Sequence, residues 1–362
     1  MSKINQLTFT RYIAAITVVF FHYASDIESF NSYPFNKILL SGPTMVTYFF
    51  VLSGFIMALN YHCYDKQFNT LNFYIRRFAR IYPVYIFSVF LMGSVVIEIG
   101  NNTLFAFILN IFMLQAWIPP YPITFNYPGW SLSVEAFMYL IVPLLVMAST
   151  TFTKKQTLTI GILFWLFTQI IHIWVINSYT IISPSINYDF YYYNPLIHVN
   201  TFILGYVFGT WFKDNRSALS RLVPISPIFI GILSCLLLYL LINTNNIIEL
   251  KYDYAVGMLA PLFVLFIMFL SIDKSVIKKT LCNRWLVLLG DSSYSIYILH
   301  VPVYSIFSLF FPYMSKYEEL NFLTYIVILT LISIYSMKKL ENPTRESINS
   351  YFSTRKDKVT NE

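Results

Sequence analysis

Charge is what this chain has least of. Only 11% of its 362 residues are Asp, Glu, Lys or Arg, against the roughly one quarter usual for soluble domains, while 57% are hydrophobic. The three cysteines, Cys63, Cys235 and Cys282, are scattered, odd in number and without CxxC or histidine partners at ligand spacing, so neither a disulfide framework nor a metal centre is expected. No glycine-rich phosphate loop occurs, which argues against nucleotide hydrolysis of the P-loop type. Internal repeats are not evident either, and the duplicated transporter architectures lose support accordingly.

What the chain has instead is long apolar blocks, near 7–25, 44–62, 132–150, 157–178, 196–212, 225–243, 254–272, 290–311 and 321–338, with further stretches at 82–99 and 103–118. Most approach the ~20 residues that carry a helix across hydrocarbon. None alternates as a barrel strand does. The expectation is an all-α, polytopic transmembrane bundle of about ten spans drawn from eleven apolar stretches. The first block is too long for a secretory signal, carries Arg11 and His22 and has no small-residue cleavage site after it, so it is taken as a retained span.

Topology follows from where the net charge of +7 falls. Cations gather in 76–80, 154–155, 213–221, 274–284 and the tail from Lys338, all assigned to the cytoplasm, and are sparse in 26–41, 98–102, 178–195, 244–253 and 312–320. Both termini are then cytoplasmic. An even number of crossings must separate 76–80 from 154–155, yet three apolar stretches lie there. The shortest, 103–118, runs into the Pro-rich segment 118–122 and is expected to be partial or re-entrant. Residues 1–341 make one transmembrane domain and 342–362 a short basic tail.

Ionisable groups inside such a bundle are functional candidates, because each costs a few kcal/mol or more in hydrocarbon. Arg11 and His22 lie 11 residues apart, which places them within about 20° of one helix face and ~16 Å apart along the axis. A snorkelling arginine and a packing histidine would look the same. Ser131, Glu135 and Tyr139 share a face of the helix opened by Trp130-Ser131-Leu132-Ser133, where Ser131 or Ser133 would also serve as a cap. Ser293, Tyr297 and His300 line up in a third segment, with Asp291 placed as a plain N-cap. Arg76, Arg77 and Arg80 form a compact cluster that reads either as a headgroup anchor or as a phosphate clamp.

In their order these segments resemble the acyltransferase-3 family of integral membrane O-acyltransferases. Arg11 and His22 match its first-helix Arg-x10-His signature, Phe49 to Phe55 its FFVLSGF run with Ser53, Arg76 to Pro83 its RRxxRIYP loop and Trp130 to Glu135 its WSLSVE motif. Ser293 to His300 is similar to its SYSLYLLH helix, and Glu341-Asn342-Pro343 to its closing ExP. The chain departs from LDGLRG before the first arginine, having Thr8, Phe9 and then Tyr12. It also lacks the hydrolase-like domain that some members append, and so is similar to members that modify surface polysaccharide or lipopolysaccharide.

The resemblance implies transfer of an acyl group, most often acetyl, from cytoplasmic acyl-CoA to a carbohydrate hydroxyl, with no permanently bound cofactor, no metal and no nucleic acid, in the bacterial inner membrane. Arg77 and Arg80, with Arg76 in support, would hold the CoA phosphates. His22 would act as general base or be transiently acylated. Glu135 would orient His22 or the sugar, Arg11 would meet donor charge or an oxyanion, and Tyr297 or Ser293 would donate to that oxyanion. Trp130, Ser131, Ser133, Ser53 and His300 would support the site. Outer-loop Tyr121, Tyr127, Tyr188, Tyr191, Tyr192 and Tyr193 suit either sugar stacking or an interfacial belt. The competing reading is a polysaccharide transporter or flippase without acyl transfer.

Overall fold

The computed structural model describes residues 4–25, 27–30, 32, 34–62, 68–95, 103–243, 253–311 and 318–359. Cys63, the loops 98–102, 244–252 and 312–317, and the last three residues of the tail lie outside that set. Every regular element among the described residues is helical. In chain order the α-helices are α1 (Gln6–Tyr23), α2 (Phe35–Leu39), α3 (Gly42–Tyr61), α4 (Thr70–Val95), α5 (Thr103–Ile111), α6 (Gly129–Thr151), α7 (Lys154–Ser178), α8 (Ile186–Tyr193) and α9 (Pro195–Asp214). There follow α10 (Arg216–Leu219), α11 (Ser226–Ile242), α12 (Ala260–Ile272), α13 (Val276–Leu281), α14 (Arg284–Asp291), α15 (Ser293–Phe310), α16 (Glu318–Ser336) and α17 (Asn342–Val359).

Among the described residues six segments are long and apolar enough to cross a membrane: Gly42–Tyr61, Gly129–Thr151, Lys154–Ser178, Arg216–Ile242, Ser293–Phe310 and Glu318–Phe352. Helices α1, α4 and α9 have the length but carry polar residues, and α12 has only 13 residues. The difference from the expected ten therefore lies in composition for α1, α4 and α9, which carry Arg11, the arginines at 76–80 and Lys213 with Asp214, and in length for α12. Large side chains such as Phe167, Ile170, Trp174, Leu323, Val327 and Leu331 are exposed on α7 and α16, whereas Asn126, Asn200, Ser295 and His300 are buried. A chain solvated by lipid sorts its residues in this way, because hydrocarbon does not penalise apolar surface.

Backbones approach closely at two crossings. A Cβ on Gly54 of α3 would lie 2.1 Å from the Phe202 carbonyl oxygen, and one on Gly205 of α9 would lie 2.1 Å from that of Val51. Gly205 and Gly209 are spaced as a small-xxx-small pair, which lets α9 lie against α3 along its length. Likewise Gly290 brings α14 onto α1, where a Cβ would meet the Thr8 carbonyl oxygen at 2.1 Å.

Side-chain bonds tie several helix ends together. Lys213 Nζ donates to the Leu59 carbonyl at 3.2 Å and to that of His62, and Lys154 pairs with Asp214 at 3.4 Å. Gln6 Nε2 donates to the Leu270 carbonyl at 3.0 Å. The ends of α3 and α9 and the start of α7 thus lie together, beside the cation-bearing segments 154–155 and 213–221.

Between α4 and α6 no helix among the described residues is long enough for a complete crossing. Nine-residue α5 rises about 14 Å, half the hydrocarbon thickness. Past it the backbone turns, with Met113 at φ 56° and Phe125 at φ 60°. Irregular backbone at this depth needs protein partners. Tyr82 and Tyr85 donate to the carbonyls of Ile111 and Asn110 at 3.1 and 2.7 Å, Gln115 Nε2 to that of Gly129 at 2.8 Å, and Ser133 Oγ to that of Met113 at 2.5 Å. Asn126 in the following turn performs a related service. Pro302 within α15 removes the amide that would bond the Ile298 carbonyl, and Asn126 Nδ2 donates to that carbonyl at 2.9 Å instead.

Candidate active site

Among the described residues two cavities enter the bundle and meet at a shared wall, a septum; the one on the side of the cation-bearing ends of α3 and α9 is termed inner and the other outer. The inner one, about 550 Å³, is lined by Arg11, Arg80, Glu135, Asp291, Glu341 and Arg345 among others. The outer one, about 580 Å³, is lined by His22, Lys37, Trp130, Tyr188, Tyr192, Tyr193, His198 and Asp253 among others. Val46 and Tyr297 belong to both linings. Tyr297 stands at the septum with its hydroxyl donating to Ser131 Oγ at 2.7 Å and its ring 5.7 Å from that of Phe49. Ser131 Oγ in turn donates to the Pro128 carbonyl at 2.8 Å, so the tyrosine is anchored to the first turn of α6.

Helix α1 serves both chambers, because its Arg11 faces the inner one and His22, three turns further on, the outer. The His22 ring lies 5.2 Å from that of His300, nearly parallel to it. Fully buried His300 places Nδ1 2.6 Å from the Tyr297 carbonyl, which as a pure acceptor requires a proton on that nitrogen. Its Nε2 has no protein partner, and its own carbonyl accepts from Tyr325 Oη at 2.8 Å.

In the inner chamber the Glu135 carboxylate accepts from Tyr139 Oη and, at 3.4 Å, from Ser53 Oγ. Glu341 closes a single turn of π-helix, Met337–Glu341, and accepts from Ser295 Oγ at 3.3 Å. Such turns recur at functional sites because they turn a side chain out of the regular helical register. Arg345, one turn into α17, donates to Asn342 Oδ1 at 2.8 Å. Three arginines face three carboxylates here, a set suited to a polar ligand carrying both charge and hydrogen-bonding groups.

Several expectations change with the geometry. Arg76, Arg77 and Arg80 do not form one cluster. Only Arg80 lines the inner cavity; Arg76 is exposed. Arg77 stacks between Tyr61, Tyr139 and Phe73 with its guanidinium 5.5, 5.9 and 6.0 Å from their ring centres, and donates to Tyr61 Oη at 3.1 Å. Successive helical positions point in different directions, so three arginines within five residues cannot all face one ligand. Glu135 does not share a cavity with His22 either: the carboxylate lies in the inner chamber, the imidazole in the outer, and the neighbour of His22 is His300.

Asp291 is not the cap of α15. It ends α14, Ser292 holds the cap position without a side-chain bond, and Asp291 faces the inner cavity. Ser131 and Ser133 lie inside α6 and not at its cap, Pro128. Ser293 is buried in the inner lining with its hydroxyl unpartnered. Of the outer tyrosines, Tyr127, Tyr188, Tyr192 and Tyr193 line the outer cavity, while buried Tyr191 packs edge-on to His172 and Tyr121 edge-on to Phe105.

Sequence reasoning missed Glu341 and Arg345 as site residues, although Glu341 stands in the quoted ExP segment. His198 and Asp253 were missed outright. A lone histidine in an apolar helix and a lone aspartate at a loop end carry no local signal of a shared chamber.

The model of the family described as "Acyltransferase domain" matches residues 4–337. The acyltransferase MdmB of Streptomyces mycarofaciens is 32% identical over 154 residues, 39% of each chain. A "Putative acetyltransferase" of the Acidianus two-tailed virus is 24% identical over 80% of each chain. A "Putative O-acetyltransferase" of Staphylococcus aureus strain COL is 26% identical over 75% of this chain and 48% of its own. The chain thus spans well under half of MdmB and about half of the staphylococcal protein. No solved structure matches. With a family model covering nearly the whole described length, the chain belongs to the acyltransferase-3 family of integral membrane acyltransferases.

Proposed function

We propose that this protein moves an acyl group, acetyl in the first instance, from cytoplasmic acyl-CoA to a hydroxyl of a surface or lipid-linked carbohydrate at the outer face of the bacterial inner membrane. The observation that carries the proposal is the pair of chambers meeting at Tyr297, with arginines on one side and His22 on the other. Ten spans follow if α1, α4, α9 and α12 are added to the six apolar ones, with both termini in the cytoplasm.

Donor phosphates would engage Arg80, Arg11 and Arg345 at the inner chamber, where guanidinium forks pair with phosphate oxygens. The pantetheine arm then passes Tyr297, and the thioester reaches the outer chamber. There His22 takes the proton of the acceptor hydroxyl as its oxygen attacks the thioester carbonyl carbon. As the tetrahedral intermediate collapses, the C–S bond breaks and the CoA sulfur leaves with the proton from His22, giving an ester and free CoA. Stacking on His300 fixes the plane of the His22 ring, a positioning role that replaces the one expected of Glu135.

Mass spectrometry of surface glycan from cells with the wild type, His22→Ala or no protein tests this reading. An acyl-sized increment confined to the wild type is the expected result. Equal increments from wild type and His22→Ala would remove His22 from the chemistry, and no increment in an expressing host with a suitable glycan would favour a flippase.

A further inference from the structure

The outer chamber holds a second imidazole that the transfer chemistry does not use. His198, in the first turn of α9, is 1% exposed and belongs to the cavity lining. Its Nε2 lies 2.8 Å from the Tyr192 carbonyl and must carry the proton in that bond. The other nitrogen, Nδ1, is then an acceptor, buried and without a protein partner. An orphaned buried acceptor is destabilising unless something fills it.

The surroundings say what would fill it. The Trp130 ring stands 5.2 Å from that of His198 and 5.2 Å from that of Tyr193, which makes an aromatic wall beside the imidazole. Asp253, from the loop opposite, accepts from the Ala255 amide at 2.7 Å and from the Tyr192 hydroxyl. The same tyrosine thus joins the carboxylate through its side chain and His198 through its backbone. Burial raises the Asp253 carboxyl above its ordinary value, while those two bonds pull it back. An anionic ring here would face that carboxyl, with half-buried Lys37 the one cationic side chain of the described lining.

We propose that His198 is a specificity residue of the acceptor subsite: its Nδ1 accepts a hydroxyl proton of an uncharged sugar ring stacked on the Trp130 and Tyr193 wall, presenting another hydroxyl to His22. Tyr192 and Asp253 are positioning residues that hold the His198 tautomer. The proposal rests on the acyltransferase reading above.

The test uses the full chain in nanodiscs with acetyl-CoA and two acceptor pools, neutral methyl hexopyranosides and methyl uronides, with products identified by mass spectrometry. We expect transfer to a member of the neutral pool. For that member, His198→Leu should raise the acceptor KM about tenfold with a much smaller fall in kcat, the size of one lost hydrogen bond. His198→Gln, which can both accept and donate, should recover most of the affinity, and the acetyl-CoA affinity of each variant reports its folding. Transfer confined to uronides, an unchanged KM in His198→Leu, or equal losses in Leu and Gln variants that still bind acetyl-CoA would overturn the subsite alone. Absence of acetyl-CoA consumption by the wild type with either pool would overturn the acyltransferase reading and the subsite with it.

Discussion

An imidazole works as a base only where it can lose its proton between turnovers and where a hydroxyl can reach it. His22 meets the second condition by opening on a chamber of about 580 Å³, and its ring is held flat against His300. His300 is itself held by its bond to the Tyr297 carbonyl. His300→Phe should keep the stacking but lose the imidazole. We expect kcat to fall at least tenfold with acetyl-CoA affinity retained, read by steady-state assay and donor binding; an unchanged kcat would reduce His300 to packing. In the inner chamber Arg80→Ala should weaken acetyl-CoA binding by about tenfold or more, whereas Arg76→Ala should change it less than twofold, since Arg76 lines neither cavity. Equal losses in an equilibrium binding assay would restore the contiguous clamp. The difference between these arginines was not legible in the sequence, where they stand within five residues. Arg11 and His22 were legible because helical periodicity within one element needs no tertiary information. Arg345 and His198 were not: their hydrogen-bond partners Asn342 and Tyr192 are near in sequence, but the residues that share their cavities, Arg11 and Arg80 for one and His22 and Trp130 for the other, lie far away in the chain.

The elements are held by close backbone contacts and by side chains that replace missing backbone bonds. Gly205→Leu should separate α9 from α3, because even a Cβ would sit 2.1 Å from the Val51 carbonyl oxygen. A loss of at least about 3 kcal/mol is expected, visible as a lower unfolding temperature in detergent or as aggregated protein. Gly231→Leu, at a position with open space around it, is the matched control and should be near neutral. Asn126→Ala removes the donor that answers Pro302, and should cost about 1–3 kcal/mol through the unpaired Ile298 carbonyl. A variant as stable as the wild type would mean that water or another donor serves that carbonyl. The helical class was readable from block length, and the stretch 103–118 holds a helix of only nine residues, α5. The count of apolar spans was not. Helices α1, α4 and α9 spend apolar length on ionisable residues, and that expenditure follows from the chambers they line, which hydropathy along the chain does not see.

For the molecule as a whole, the account makes one geometric claim: donor and acceptor enter from opposite faces and meet near Tyr297. The basic loops and the ties between Lys213, Lys154, Asp214 and the ends of α3, α7 and α9 put the arginine-bearing chamber on the cation-rich side. Sealed inverted membrane vesicles test this most directly. Acetyl-CoA, which does not cross the bilayer, is supplied outside them, on the former cytoplasmic face, and the carbohydrate acceptor is trapped in the lumen. The account predicts acetylated lumenal acceptor with the wild type and none with His22→Ala. Transfer by the wild type only when donor and acceptor share one side would contradict it.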